Sequence, residues 1–189
     1  MKRRVVRLAG LLPVLVSLLA LQPSPAEAKV TYPKPNSFKI DVPFAIGKVS
    51  LDDTIQEAAE KWGGKPNCRV KAAGTTCKWG RENAPGGMAL MQTSGDINSK
   101  VEVVLIEFGE KRGDAILNDD SPLTSFHTTR GKIGLGSPAQ KVSSIDPANV
   151  EEFGSGFIFP GPSSRMYFLT TGSPGNKFVT GIVLTNGVF

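Results

Sequence analysis

Residues 101–108 read Val-Glu-Val-Val-Leu-Ile-Glu-Phe. Apolar, largely β-branched side chains occupy both parities of this run, so it is expected as a strand packed on both faces, at the centre of a sheet. A chain with such a strand must supply neighbours for it. The neighbours are legible as shorter runs at Cys68–Val70, Thr76–Trp79, Gly87–Thr93, Gly156–Phe159, Arg165–Thr171 and Lys177–Thr185. Ser173-Pro174-Gly175-Asn176 marks the turn between the last two.

Helical patterning is sparse. Ile55, Ala58, Ala59 and Trp62 recur at i, i+3, i+4 and i+7, one apolar face of a helix over Asp52–Trp62. Ser50 or Asp52 is available as its cap, and Gly63-Gly64 followed by Pro66 ends it. Ser137-Pro138-Ala139-Gln140 has the form of a capping box and predicts a second, shorter helix over Pro138–Ser144. Residues 29–37, with Pro33 and Pro35, read as a flexible tail, and 110–125 as a polar linker with one helical turn at Asp114–Leu117.

Gly47-Lys48-Val49-Ser50-Leu51 and Gly131-Lys132-Ile133-Gly134-Leu135 share one pattern, 84 positions apart, and each leads towards a predicted helix. The order of elements, helix then strands, occurs twice. The expected fold is therefore α+β: an antiparallel sheet with helices packed on one face, in two tandem helix-then-meander repeats at 38–109 and 126–189.

The second copy, Thr129-Arg130-Gly131-Lys132-Ile133-Gly134-Leu135-Gly136-Ser137-Pro138-Ala139-Gln140-Lys141-Val142, resembles the opening phrase of small bacterial envelope repeats of the BamE/SmpA-like and β-lactamase-inhibitor-protein-like superfamily. Val49-Ser50-Leu51-Asp52-Asp53-Thr54-Ile55-Gln56 is a reduced version of the phrase. The stretch from Gly64 through Cys68 to Cys77 resembles the disulfide-bearing hairpin after the first helix of the inhibitor proteins. The resemblance implies a helical layer on an antiparallel sheet, with tandem sheets joined into a saddle. It also implies a protein that binds other proteins.

The N-terminus bears on compartment. Lys2, Arg3, Arg4 and Arg7 precede an apolar stretch from Leu8 to Leu21, and Ala26-Glu27-Ala28 supplies a small-x-small cleavage pattern. This is the form of a signal peptide, cleaved after Ala28, on a periplasmic or secreted protein. Its apolar stretch is too short for a bilayer span. The formal charge of +5 includes four basic residues and one acidic residue of this leader. From Lys29 onward 18 basic and 16 acidic residues remain, a net charge of +2 without a basic cluster, which argues against a nucleic-acid partner. Cys68 and Cys77, the only cysteines, are expected to form a disulfide in an oxidising compartment.

Catalytic signatures are sparse. His127 is the only histidine, so a triad or a multi-histidine metal site has little to draw on. Gly131-x-x-Gly134-x-Gly136 lacks the Lys-Ser/Thr of a phosphate-binding loop and the spacing of a dinucleotide fingerprint. Asn118, Asp119 and Asp120 do not follow a calcium-loop pattern. No cofactor is expected. The preferred reading is a non-enzymatic module that binds another envelope or secreted protein, in envelope assembly or in inhibition of a secreted enzyme. Trp79, Phe157, Phe159 and Tyr167 are its candidate contact residues, because large aromatics on a sheet face anchor interfaces. Two other classes remain: a small periplasmic hydrolase using His127, and a small-molecule or lipid carrier with an apolar cavity between helices and sheet.

Overall fold

Thr54 caps α1 (Ile55–Trp62), the one α-helix among the described residues. Its hydroxyl accepts from the Glu57 N–H at 3.2 Å, and the Glu57 carboxylate accepts the Thr54 N–H at 2.9 Å, a complete capping box. Gly63 closes the other end, donating its N–H to Ala59 O. Ile55, Ala58 and Trp62 are buried, so the periodic face read from the sequence is the one the helix packs. The structure, a computed structural model, describes residues 30–81, 86–108 and 121–187. The leader, the turn at Asp114–Leu117 and the Asn118–Asp120 group lie outside the described residues.

The strands in chain order are β1 (Lys39–Asp41), β2 (Ala45–Ile46), β3 (Asn67–Lys71), β4 (Gly74–Gly80), β5 (Met88–Thr93), β6 (Val103–Glu107), β7 (His127–Thr128), β8 (Glu151–Phe153), β9 (Gly156–Pro160), β10 (Arg165–Ser173) and β11 (Asn176–Thr185). Eight form one antiparallel sheet in the order β3-β4-β5-β6-β11-β10-β9-β8. The strand read as central, β6, lies between β5 and β11. A small sheet, β2-β1-β7, pairs β1 in parallel with β7 and so ties the start of the first half to the start of the second.

The expected α+β layering is not what forms. Of the described residues 44 % are strand and 13 % helix, and α1 is the only real helix. The second predicted helix is a 3-10 segment, Ala139–Ser144, whose cap position is Pro138 with no side-chain cap bond. The Ser137 hydroxyl, read as its cap, instead accepts the Gly134 N–H at 3.0 Å. Without the cap, a six-residue segment has little reason to open into α-helix. The two Gly-Lys pairs mark turns: Gly47 and Lys48 have φ of 61° and 67°, Gly131 and Lys132 of 75° and 52°. The shared pentapeptide therefore marks a left-handed backbone twice, and the strands join one eight-stranded sheet rather than two helix-then-meander repeats.

One core cluster spans both halves, from Ile40 to Leu184. At its centre Trp62 packs edge-on against Trp79 at 5.3 Å and at a tilt against Phe126 at 5.6 Å, and Phe38 meets Phe126 at 5.1 Å. Both indoles are satisfied: Trp62 donates to Ile46 O at 3.0 Å and Trp79 to Gly63 O at 2.9 Å. Ordered structure begins before Phe38. Pro33 and Pro35 are buried, Lys34 N–H bonds Trp62 O, and Thr31 O accepts from Gly80 N–H, so 30–37 is a docked strap rather than a flexible tail.

Cys68 and Cys77 are bridged, directly opposite one another on β3 and β4. All five residues of β3 are exposed. This edge strand has no core of its own, and closing so short a loop contributes roughly 2–3 kcal/mol on a chain-entropy account.

Candidate functional site

The sheet has two chemically different faces. Towards α1 it presents Cys77, Trp79, Ala89, Met91, Val104, Ile106, Ile182, Leu184, Met166 and Phe168, all in the core cluster. A bulge at Thr180, where Leu169 faces Gly181 but Thr170 faces Val179, shifts the parity of β11 so that Val179 also reaches that core.

The other face is built by alternation from the same strands. Following the register across it, Asn67 faces Lys78, Lys78 faces Leu90, and Leu90 faces Leu105. Leu105 faces Val183, Val183 faces Tyr167, Tyr167 faces Ile158, and Ile158 faces Glu151. One residue from each of the eight strands thus forms a single row, about 34 Å long at ~4.8 Å per strand. Its five middle members are apolar or aromatic. Its ends are polar, basic at β4 and acidic at β8.

Burial separates this row from the core. Val183 is 0 % exposed and Tyr167 3 %, and with Met88 at 5 % they are buried hydrophobics outside the main cluster. Leu90, Leu105 and Ile158 are half-buried. Phe153 packs edge-on against Tyr167 at 5.9 Å and extends the apolar strip. Among the described residues, the helical elements meet the sheet from the opposite side. There α1 meets β4 and β5, and the 3-10 segment Ala139–Ser144 meets β9 and β11.

The aromatic candidates are thereby sorted. Trp79 and Phe159 are each 1 % exposed and Phe157 9 %, all within the core cluster, and Tyr167 at 3 % is as buried, so none of the four is an exposed contact anchor. Tyr167 alone belongs to the second face. The missed members, Leu90, Leu105, Val183 and Ile158, are aliphatic. Their signal was the second apolar parity of their strands, but their alignment depends on register.

Beside the basic end of the row lies a hollow of ≈ 270 Å³ lined by Asn67, Arg69, Thr76, Lys78, Gly80, Arg81 and Met88. No carboxylate among the described residues lines it. Among the described residues neither Arg69 nor Lys78 makes an ion pair. At the strand ends a second groove of ≈ 470 Å³ is rich in hydroxyls, including Ser94, Ser99, Ser163 and Ser164. Phe44, 54 % exposed, stands at its rim on the β1–β2 turn, which is held by the Ser164 hydroxyl on Pro43 O at 3.0 Å.

His127 contacts Ser125 O through Nδ1 at 2.7 Å and Lys132 Nζ through Nε2 at 3.2 Å. With the lysine donating to Nε2, the ring proton sits on Nδ1. Neither contact is a serine hydroxyl or a carboxylate, so no nucleophile is engaged. Among the described residues no group of His, Cys, Asp and Glu could hold a metal ion. The cavity expected of a carrier, between helices and sheet, has a different counterpart: an apolar hollow of ≈ 750 Å³ between the N-terminal strap, Phe38 and Pro122.

No family model, curated protein or solved structure matches this chain.

Proposed function

We propose that the chain is an exported, non-enzymatic module that binds another protein through the second face of its sheet. The observation that carries this reading is the row Leu90–Leu105–Val183–Tyr167–Ile158, an apolar strip with polar ends on the side of the sheet away from α1. Sheets with one covered face normally alternate apolar with polar side chains, leaving the second face hydrophilic. Here the second face carries Leu90, Leu105 and Ile158 half-buried around the buried Val183 and Tyr167, so the area a partner would meet is the partly exposed surface of those three, between polar ends.

Export supports the same reading. A disulfide joins the only two cysteines, and no helix among the described residues is long and apolar enough to cross a membrane. Cleavage after Ala28 and a periplasmic or secreted location follow from the leader. The resemblance to the envelope repeats of the BamE/SmpA-like and inhibitor-protein-like superfamily points to the same class of role, in envelope assembly or enzyme inhibition. Terminal sequencing of the exported protein is expected to begin at Lys29.

The test compares capture from host envelope extract by the native protein and by Leu105→Glu. The variant places a charge in the middle of the strip on a half-buried position, and its fold is checked by circular dichroism. A saturable partner held by the native protein and lost by the variant supports the reading. A partner retained equally by both would place binding elsewhere on the molecule.

A further inference from the structure

We propose that the hydroxyl-rich groove at the strand ends binds a neutral oligosaccharide, with the exposed ring of Phe44 as the platform on which one sugar stacks. No member of the row from Leu90 to Ile158 lines this groove, so the site is separate from the sheet face and does not rest on the protein-binding reading.

Four segments converge on the groove: the β1–β2 turn, the approach to α1, the β5–β6 connection and the β9–β10 connection. The turn displays the aromatic. Phe44 and Val70, at 54 % and 65 %, are the large hydrophobics left exposed among the described residues, and of these Phe44 borders the groove. Its backbone is braced on both sides: Phe44 N–H donates to Asp41 O at 2.6 Å, and the Ser164 hydroxyl donates to Pro43 O at 3.0 Å. A platform carried on an ordered turn loses little freedom when a ligand settles on it. The negative face of an aromatic ring attracts the polarised C–H bonds on the flat side of a sugar.

The polar wall selects among ligands. The Ser94 hydroxyl donates to Glu102 and the Ser164 hydroxyl to Pro43 O, so both keep lone pairs to accept from a ligand. Lys100 spends one ammonium proton on Asp52 at 3.2 Å and retains two. Among the described residues the side chains of Ser163 and Asn186 have no partner, and both line the groove. Sugar hydroxyls donate and accept at once, which suits a wall of mixed donors and acceptors. Charge excludes the anionic alternatives. Asp52 and Glu102 outnumber Lys100, so a phosphate or carboxylate ligand meets net repulsion. Polarity argues against a protein anchor, because hot-spot aromatics sit in dry, well-packed surroundings, whereas Phe44 borders hydroxyls and carboxylates. At ≈ 470 Å³ the groove falls within the range of about 300–1,000 Å³ of small-ligand sites.

The experiment passes purified protein over an immobilised panel of neutral oligosaccharides, built from glucose, mannose, galactose or N-acetylglucosamine, beside sulfated and uronic-acid members. A retained member is then titrated by calorimetry at low and high salt. The expected result is saturable binding of a neutral member, little changed by salt. Phe44→Ala and Phe44→Leu are each expected to weaken it about tenfold or more, while Phe44→Trp preserves it. The leucine variant keeps apolar bulk and removes the ring face. Asn186→Ala is expected to weaken binding as well, and Val70→Ala, the other exposed hydrophobic, to leave it unchanged. The folds are compared by circular dichroism. A panel without a retained neutral member, retention of acidic members alone, or full binding by Phe44→Leu would overturn the proposal.

The two readings fail separately. Leu105→Glu is expected to leave sugar binding intact. If that variant loses the protein partner and no neutral sugar is retained, the groove proposal falls and the sheet face stands. If a neutral sugar is bound through Phe44 while Leu105→Glu captures its protein partner as the native chain does, the sheet reading falls and the groove stands.

Discussion

Single side chains decide where this chain turns and where its helix begins. The capping box of Thr54 and Glu57 starts α1 at Ile55, three residues after the Asp52 expected from periodicity. Thr54→Ala is expected to cost about 1 kcal/mol, read by denaturant unfolding. Glu57 has its carboxyl lowered below the ordinary range, first by the Thr54 backbone N–H and then by the Thr54 hydroxyl. A carboxylate whose folded pKa is depressed favours the folded state above its unfolded pKa of about 4.3, and loses that contribution as pH falls through the lower folded value. Glu57→Gln should therefore flatten the acid side of the stability profile below about pH 4.3 and leave its slope near neutrality unchanged. Gly47 shows the opposite dependence, on absence of a side chain. Its φ is 61°, and a Cβ there would lie 2.7 Å from Phe126 Cε1 and 2.8 Å from Trp62 Nε1. Gly47→Ala is expected to destabilise by at least about 2 kcal/mol, since a left-handed backbone and overpacking combine. A midpoint unchanged from the native protein would refute that placement.

At the scale of elements, the strands were largely legible. Cys68–Val70, Thr76–Trp79, Gly87–Thr93 and Arg165–Thr171 all fall on observed strands, with ends differing by a few residues. Their β-branched and aromatic content and bounding turns are local properties. Elements dependent on partners were missed: β1, β2 and β7 are two or three residues long and exist through mutual pairing. The N-terminal strap was misread for a similar reason. Two prolines exclude helix, but they do not exclude an extended segment docked on Trp62 and Gly80. Deleting residues 30–36 removes at least three hydrogen bonds, from Lys34 to Trp62, from Gly80 to Thr31 and from Thr31 to Lys65. At about 1 kcal/mol each, the melting temperature is expected to fall by roughly 6–12 °C. A deletion that melts with the native protein would restore the flexible-tail reading.

At the scale of the molecule, Phe126 from the second half sits against Trp62 and Phe38 from the first, β1 pairs with β7, and β6 pairs with β11. The core is continuous, so calorimetry is expected to show one cooperative transition, whereas two resolved transitions would indicate independently folding halves. The cysteine pair, α1 and most strands could be read from the chain because each depends on residues close together in sequence. Which face each strand buries, and which residues stand in line across it, could not. Leu90, Leu105, Val183, Tyr167 and Ile158 become neighbours through four strand pairings, one of which joins β6 to β11 across more than seventy residues. A shift of one residue in any of those pairings would turn a strand's apolar members to the other face. Composition sufficed to make a sheet. The apolar row and its polar ends arise from register, which only the assembled fold sets.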